Sequence, residues 1–415
     1  MTALFILSAL IVGIILGVAG SGTAWGEALA RIADPVGGMW LNALKMTIVP
    51  LVVALLITGI TKTVEAARAG KLAGRSVAWF LAILWTSSLM AALVTPLLLD
   101  IWPLDPGSAD ALKTALGKTA AVLPPPAFKE FLLGLIPSNP IAAAANDAIL
   151  PLTIFTAIFA FAMLKLPEGD QRFLSRFFEA LANTMLVIIN WVLWLAPVGV
   201  FALAFVVGAR SGFSALGGLV HYVLIASALG VIVWIAAYPL AHFGGRVSLG
   251  RFARAALPAQ AVAISTQSSL ASLPAMLKGT EALGIRSETA DVVLPLAVAL
   301  FRATGPAVNL AVAIYVAHWY GIQLGPWQLA AGVAVAATTT LGAVSLPGQL
   351  TFISSIAPIA MAMGVPFEPL ALLIAVETIP DIFRTVGNVS MDMAVTSTIA
   401  RGEGPMSSAL EEARN

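Results

Sequence analysis

The sequence predicts an all-α integral membrane protein with eight transmembrane segments and two opposed re-entrant helical hairpins. Hydrophobic residues make up 59% of the 415 residues and charged residues only 10%, whereas soluble domains average about 25% charged residues. Eight apolar stretches have about the 20 residues that a membrane-spanning helix needs. Two further stretches, 256–277 and 330–363, are apolar at both ends but polar and proline-broken in the middle.

We expect the eight membrane-spanning segments at 2–20, 39–60, 76–100, 149–166, 174–207, 215–242, 290–317 and 366–400. The two broken stretches are interpreted as helix–break–helix hairpins. Unpaired backbone at membrane depth is tolerated only where protein or a water-filled cavity covers it. Hairpins of this kind line transport sites. Stretch 101–130, which is rich in proline, is expected to be an exterior loop.

Composition excludes several classes of function. The net charge of +1 gives no sign of a nucleic-acid-binding surface. With no cysteine and three scattered histidines, thiol catalysis, cysteine-ligated zinc sites and iron–sulfur clusters are excluded. We therefore expect no cofactor and no nucleic-acid partner.

The distribution of basic residues predicts the orientation in the membrane. Alternating the loops places twelve Lys and Arg on one side and five on the other, and the richer side is cytoplasmic by the positive-inside rule. Hairpin 256–277 then enters from the cytoplasm and hairpin 330–363 from outside. Two opposed hairpins suggest an inverted repeat with a binding site where their tips meet. We expect a multi-pass protein of the plasma (inner) membrane, with the lipid bilayer around it.

The last segment carries a stripe of polar side chains. At about 100° per residue the six positions fall within an arc of roughly 100°, and three acids face one arginine. The excess negative charge needs a bound cation, a proton or another basic residue; a static network between helices is the alternative. The stripe consists of Glu377, Asp381, Arg384, Thr385, Asn388 and Asp392.

The hairpin tips and two basic residues complete the candidate features. The first tip, residues 265–269, offers hydroxyls and free backbone N–H groups suited to an anionic substrate. The second tip combines Pro347 with Gly348, a rigid and a permissive residue expected in a loop that opens and closes. Arg302 lies too deep in its span to reach the interface, whereas Lys45 is expected to extend towards it.

These segments resemble the dicarboxylate/amino acid:cation symporter family, the glutamate transporter homologues, over nearly the whole chain. The shared stretches include KMTIVP at 45–50, PSNP at 137–140 and APVGVF at 196–201. The most specific one is the eighth-segment signature of that family, which is matched at all five polar positions by Asp381-x-x-Arg384-Thr385-x-x-Asn388-x-x-x-Asp392.

The resemblance implies a homotrimer with the glutamate-transporter-homologue fold, in which a transport domain slides across the membrane against a static scaffold, as in an elevator. Residues 1–75 would form helices 1 and 2, which belong to the scaffold or to the transport domain. Transport segment 3 and scaffold segment 4 would lie in 76–166, and scaffold segment 5 and transport segment 6 in 167–243. The core transport domain, with both hairpins and segments 7 and 8, would occupy 244–415.

The resemblance also implies substrate contacts. Asp381 would hold the substrate amino group and Arg384 its side-chain carboxylate, with Thr385 as support. Asn388 and the Ser268–Ser269 tip would hold the main-chain carboxylate, and the Pro347–Gly348 tip would close over the substrate. A planar guanidinium is independently the side chain best fitted to bidentate carboxylate binding.

The chain departs from the family where sodium is bound. The family has Asn-Met-Asp-Gly-Thr in segment 7, and this chain has Phe301-Arg302-Ala303-Thr304-Gly305. What remains is a degenerate sodium site near Asn388 and Asp392, with Thr86 and Ser87 matching a Thr-Ser pair. Our hypothesis is that Arg302 replaces a sodium ion by pairing with Asp392 or a neighbouring acid; the alternative is a purely structural arginine.

We therefore expect a secondary active transporter for aspartate or glutamate that is independent of sodium, with proton coupling through Glu377 or Asp381 left open. The alternatives are a C4-dicarboxylate carrier, a sodium-coupled symporter and an anion channel. An enzyme is not expected, because no metal-ligand spacing such as H-E-x-x-H exists and no nucleophile has a suitable histidine.

Overall fold

The computed structural model describes residues 2–105, 107, 128–211, 214–342 and 348–401. Every regular element in these ranges is a helix. The elements of the first half are α1 Thr2–Gly20, α2 Ala24–Arg68, α3 Lys71–Ile101, α4 Phe128–Gly134, α5 Pro140–Ala145, α6 Ile149–Met163, α7 Glu168–Trp194 and α8 Ala196–Ser211.

The second half contains more interrupted helices. Its elements are α9 Ser214–Pro239 with a π-helical turn Leu240–Gly244, α10 Leu249–Thr266, α11 Ser269–Ala282, α12 Ser287–Leu300, α13 Thr304–Tyr320, α14 Pro326–Thr339 with a 3₁₀ turn Thr340–Gly342, α15 Gly348–Ala362, α16 Leu370–Leu373 and α17 Thr378–Ala400.

Within the described ranges, five helical segments are long and apolar enough to cross a membrane by themselves. They are Ala24–Arg68, Lys71–Ile101, Glu168–Trp194, Leu216–Gly244 and Ser287–Tyr320. Shorter apolar helices such as α1, α6 and α8 add to these. The chain is a multi-pass integral membrane protein with an all-helical fold, in agreement with the class that the composition predicts.

The predicted span 174–207 is two helices, which corrects the sequence interpretation. Helix α7 ends at Trp194 and α8 begins at Ala196. Pro197 lies in the first turn of α8, where its missing N–H costs nothing, but it does not fit the interior of a continuous helix. The apolar pattern runs through this break, so hydropathy alone did not reveal it.

The predicted span 290–317 is also broken. Helix α12 ends at Leu300, Phe301 is extended, and α13 starts at Thr304. The first backbone N–H of α13 donates to the side chain of Asn388 (2.9 Å), so a partner on another helix satisfies an amide that the break exposes. The last predicted span, 366–400, likewise begins later than expected, with α17 at Thr378.

Each broken stretch forms a pair of packed helices. Helices α10 and α11 contact each other, as do α14 and α15. The turn of the first pair places Gln267 in the left-handed region (φ 51°), and the hydroxyl of Ser268 accepts the N–H of Ala271 to cap α11. In the second pair Gly348 is the first residue of α15, while Pro347 lies outside the described residues. Most of the predicted loop 101–130 lies outside them too.

Helices α1, α2, α7 and α8 contact one another, and α2 also contacts α3, α6 and α15. The cavity described below is lined by residues of the α10–α11 turn, the break before α13, α13, the turn after α14, α15 and α17. Helix α17 is almost entirely buried. The polar last helix is thus enclosed by protein rather than by lipid.

The Lys45 side chain is partly exposed and has two neighbours. Its ammonium group lies 3.2 Å from a carboxylate oxygen of Asp147 and 5.0 Å from the centre of the Phe367 ring. An ion pair and a cation–π contact therefore orient this side chain.

The contact between α2 and α8 leads to a stability prediction. The Trp40 indole N–H donates to the carbonyl of Val192 (2.9 Å), and a Cβ on Gly199 would overlap the Trp40 ring. Although Gly→Ala stabilises a helix interior by about 1 kcal/mol, Gly199→Ala is expected to lower the free energy of unfolding by about 1–3 kcal/mol through overpacking. Thermal unfolding in detergent measures it, with Gly169→Ala as the control, since nothing lies within 4 Å of that position. Equal melting temperatures for the two variants would contradict the prediction.

Candidate functional site

A polar cavity lies where the first turn of α11, the break before α13, and α17 meet. It brings together the predicted Ser268–Ser269 tip, Arg302 and four residues of the polar stripe. The remaining two stripe residues, Glu377 and Asp392, do not line it. The described lining residues are Gln267, Ser268, Ser269, Arg302, Thr304, Gly305, Asn309, Thr340, Thr351, Ser355, Asp381, Arg384, Thr385 and Asn388.

Arg384 is held by two neighbours. Its Nε lies 3.0 Å from Oε1 of Glu377, an ion pair without a well-aligned hydrogen bond, and its Nη1 donates to Oδ1 of Asn309 (2.6 Å). Nη2 is buried and has no hydrogen-bond partner among the described residues. The guanidinium is thus oriented by protein, while the two N–H groups of Nη2 remain for a ligand.

Glu377 stands behind this arginine rather than in the cavity. Its side chain is 0% exposed, and its Oε2 accepts the hydroxyl of Tyr222 (2.9 Å). We interpret Glu377 as a positioning residue that compensates the charge of Arg384. Removal of either partner would leave the other as an uncompensated buried charge, which destabilises the folded protein.

Asn309 and Tyr222 were not singled out from the sequence. Asn309 follows Arg302 by seven residues, close to two helical turns, in an otherwise apolar segment, and a lone amide in such a stretch is a signal that periodicity can find. Tyr222 lies in an apolar span. No polar residue at helical spacing from it gives a pattern that would predict its contact with Glu377. Only the packing of α9 on α17 brings the two together.

Asn388 connects α17 to the break in the predicted seventh segment. Its Oδ1 accepts both the backbone N–H and the hydroxyl of Thr304 (2.9 Å each). The amide group has only N–H donors left for a ligand. Thr385 donates its hydroxyl to the carbonyl of Asp381 (2.9 Å), which leaves its oxygen able to accept.

The predicted pairing of Arg302 with Asp392 is absent. No nitrogen–oxygen distance within 4 Å joins them, although Asp392 lies in electrostatic range. Asp392 is 0% exposed, and neither of its carboxylate oxygens has a hydrogen-bond partner in the described part of the chain. The reason is placement: Arg302 lines the cavity, whereas Asp392 lies one helical turn beyond Asn388 and outside the lining.

The predicted Thr86–Ser87 pair is divided between two environments. Thr86 is exposed and donates to Ile83 of its own helix, so it lies outside the site. Ser87 is buried and donates to the carbonyl of Ala303 (2.5 Å). Phe301 stacks on Phe80 of the same helix as Ser87, with ring centres 4.7 Å apart.

The hairpin tip is anchored to the start of α17. The side-chain amide of Gln267 donates to the carbonyl of Thr378 (3.1 Å), and the first turn of α11 faces the cavity with Ser268 and Ser269. Helix α13 also begins at the cavity wall, with Thr304 and Gly305. Two helix N-termini and two guanidiniums favour negatively charged groups of a ligand in this cavity, while Asp381 adds one carboxylate to its wall.

Comparisons with known proteins agree with this chemistry. Residues 3–401 match the model of the sodium:dicarboxylate symporter family. The chain is 28% identical to the proton/glutamate-aspartate symporter of Escherichia coli over 96% of this chain and 92% of that protein. It is 29% identical to a proton/sodium-glutamate symport protein of Bacillus subtilis (97% and 93%) and 28% identical to C4-dicarboxylate transport protein 1 of Pseudomonas paraeruginosa (95% and 88%).

Proposed function

The chain belongs to the sodium:dicarboxylate symporter family, and on this basis we propose that it is a secondary active transporter that carries aspartate or glutamate across the plasma membrane. Relatives named as glutamate, glutamate-aspartate and C4-dicarboxylate transporters support this substrate class. The observation that carries the proposal is the largely buried Arg384, which is oriented by Glu377 and Asn309 and whose Nη2 has no hydrogen-bond partner among the described residues. A pre-oriented guanidinium beside a polar cavity suits a carboxylate ligand.

The proposed substrate contacts are those that the resemblance to the family implies. Arg384 binds the side-chain carboxylate and Asp381 the amino group. Asn388 offers N–H donors to the main-chain carboxylate together with the Ser268–Ser269 tip. Thr385 supports Asp381 through its bond to the carbonyl of that residue.

The transport mechanism is proposed to be of the elevator type in a homotrimer, with both hairpins re-entrant in an eight-segment membrane fold. In support, α1, α2, α7 and α8 form a first group of helices in contact with one another, and α10 to α13 each contact α17. We assign the first group to the scaffold and residues 244–415 to the core of the moving domain. An enzyme is not proposed, since no cysteine or histidine lies among the described residues that line the cavity.

Transport is proposed to be independent of sodium. Phe301 and Ala303 have no side-chain oxygen, the Ala303 carbonyl already accepts Ser87, and the Asn388 oxygen already accepts two donors. A hard cation needs several free oxygens. The carboxylate of Asp392 has no hydrogen-bond partner among the residues that the structure describes. A proton there would remove the cost of a buried unpaired charge, so we propose proton coupling.

Uptake of radiolabelled aspartate into proteoliposomes tests the function, with sodium, potassium and pH gradients imposed one at a time. We expect saturable uptake that a pH gradient accelerates and a sodium gradient does not. Affinity measured in sodium and in choline should agree within a factor of about two. A tenfold higher affinity in sodium, about 1.4 kcal/mol of coupling, would contradict sodium independence.

A C4-dicarboxylate is the second candidate substrate. Relatives with this name and the second arginine of the cavity favour it. Asp381 opposes it, because a carboxylate facing a substrate without an amino group is repulsive unless one of them is protonated. Succinate competition against aspartate uptake therefore distinguishes the two. Conductance without saturable uptake would instead indicate an anion channel.

A further inference from the structure

Arg302 is a cavity arginine that no acid of the described residues contacts directly. It is partly buried and lines the same cavity as Arg384 and Asp381. Its side chain makes no hydrogen bond and no ion pair within 4 Å with any of the described residues. A cationic side chain at membrane depth costs at least about 2.5 kcal/mol, so its position requires a compensating anion.

The acids near the cavity do not supply that anion as a direct partner. Glu377 is already paired with Arg384 and bonded to Tyr222. Asp381 and Asp392 lie in electrostatic range of Arg302 but not in ion-pair contact, and Arg384 lies in range as a repelling charge. Two like charges that share one cavity favour an anionic ligand between them.

Hydrogen bonds fix the backbone around Arg302, so its side chain extends from a defined position. Its carbonyl accepts the N–H of Gly305 (2.9 Å). The next carbonyl, of Ala303, accepts Ser87, and the N–H of Thr304 is bonded to Asn388. A site held in this way loses little entropy when it binds a ligand.

We propose that Arg384 binds one carboxylate of the substrate and Arg302 binds the other, so that each carboxylate contacts its own guanidinium. This rests on the proposed function and adds to it. For aspartate or glutamate, Arg302 contacts the main-chain carboxylate alongside the Ser268–Ser269 tip. Arg302 is then a specificity-determining substrate contact rather than a substitute for a bound sodium ion.

The test combines two variants with aspartate analogues that each lack one carboxylate. Arg302→Gln should lower the affinity for aspartate at least tenfold in purified protein, measured by calorimetry or by competition. It should leave the affinity for β-alanine, which lacks the main-chain carboxylate, within twofold of the parent value. For asparagine, which keeps that carboxylate, it should cause the same loss as for aspartate.

Arg302→Lys separates contact from charge. It keeps the positive charge but not the planar fork, so a direct contact predicts a loss of at least fivefold for aspartate. Parent-like affinity in Arg302→Lys, or in Arg302→Gln, would overturn the proposal, as would equal losses for aspartate and β-alanine. The exposed Arg172→Gln on α7, paired only with Glu168 of the same helix, is the matched control and should bind as the parent does.

Failure of the proposed function has a different signature. If the parent protein binds neither aspartate, glutamate nor succinate, the substrate class is wrong. If the parent binds aspartate and both Arg302 variants match it, the substrate class stands and only the role of Arg302 is rejected.

Discussion

Replacing Arg384 with glutamine is expected to weaken aspartate binding on the order of 30-fold to several thousand-fold. The substrate carboxylate loses its guanidinium, and Glu377 is left buried without its ion-pair partner. Truncating one member of a desolvated charge pair costs about 2–5 kcal/mol. Equilibrium binding to purified protein measures the loss, and affinity equal to that of the parent would show that Arg384 does not contact the substrate.

Loss of folding has to be separated from loss of a contact in this experiment. The double variant Glu377→Gln/Arg384→Gln removes both charges together, and Tyr222 is then able to donate to the new amide in place of the carboxylate. We expect it to melt closer to the parent than Arg384→Gln does while binding aspartate equally poorly. Recovery of binding in the double variant would mean that the single variant failed through misfolding.

Replacing Asp381 with asparagine is expected to shift selectivity from amino acids towards dicarboxylates. The amino group loses a charge-assisted hydrogen bond worth about 1.5–3 kcal/mol, so aspartate affinity should fall roughly 10- to 100-fold. Succinate should bind as well as in the parent or better, because a negative charge that repels it is gone.

Competition of unlabelled aspartate and succinate against one labelled substrate measures this ratio. Asparagine is close in volume to aspartate, and Asp381 is only 7% exposed, so the cavity shape should persist. Equal losses of affinity for aspartate and succinate would mean that Asp381 maintains the structure of the site and does not contact the substrate amino group.

Much of the site was predictable because helical periodicity acts on polar residues as well as on apolar ones. Six polar residues on one face of an apolar stretch have to be turned away from lipid. The structure encloses Glu377, Asp381, Thr385, Asn388 and Asp392 in protein. The proline-broken stretches were identified as helix pairs for a similar local reason, since proline and polar runs interrupt a helix visibly.

The break before Thr304 was not predictable in the same way. Residues 290–317 contain proline at 295 and 306, and Arg302, Thr304 and Gly305 lie at the break, but the predicted span ran through this short stretch because apolar residues flank it on both sides. The helix ends there because Asn388, from α17, takes the amide of Thr304 and Ser87, from α3, donates to Ala303. Such partners are supplied by contacts between distant segments.

The sequence by itself determined the membrane class, the polar last helix and the candidate residues for a carboxylate site, because composition and periodicity are local properties of the chain. Only the tertiary structure decided the partner of each charge. It joined Glu377 rather than Asp381 to Arg384 as an ion pair within 4 Å, kept Asp392 apart from Arg302, and left Thr86 exposed. Electrostatic energy depends on distance and on local solvation, and three-dimensional packing sets both.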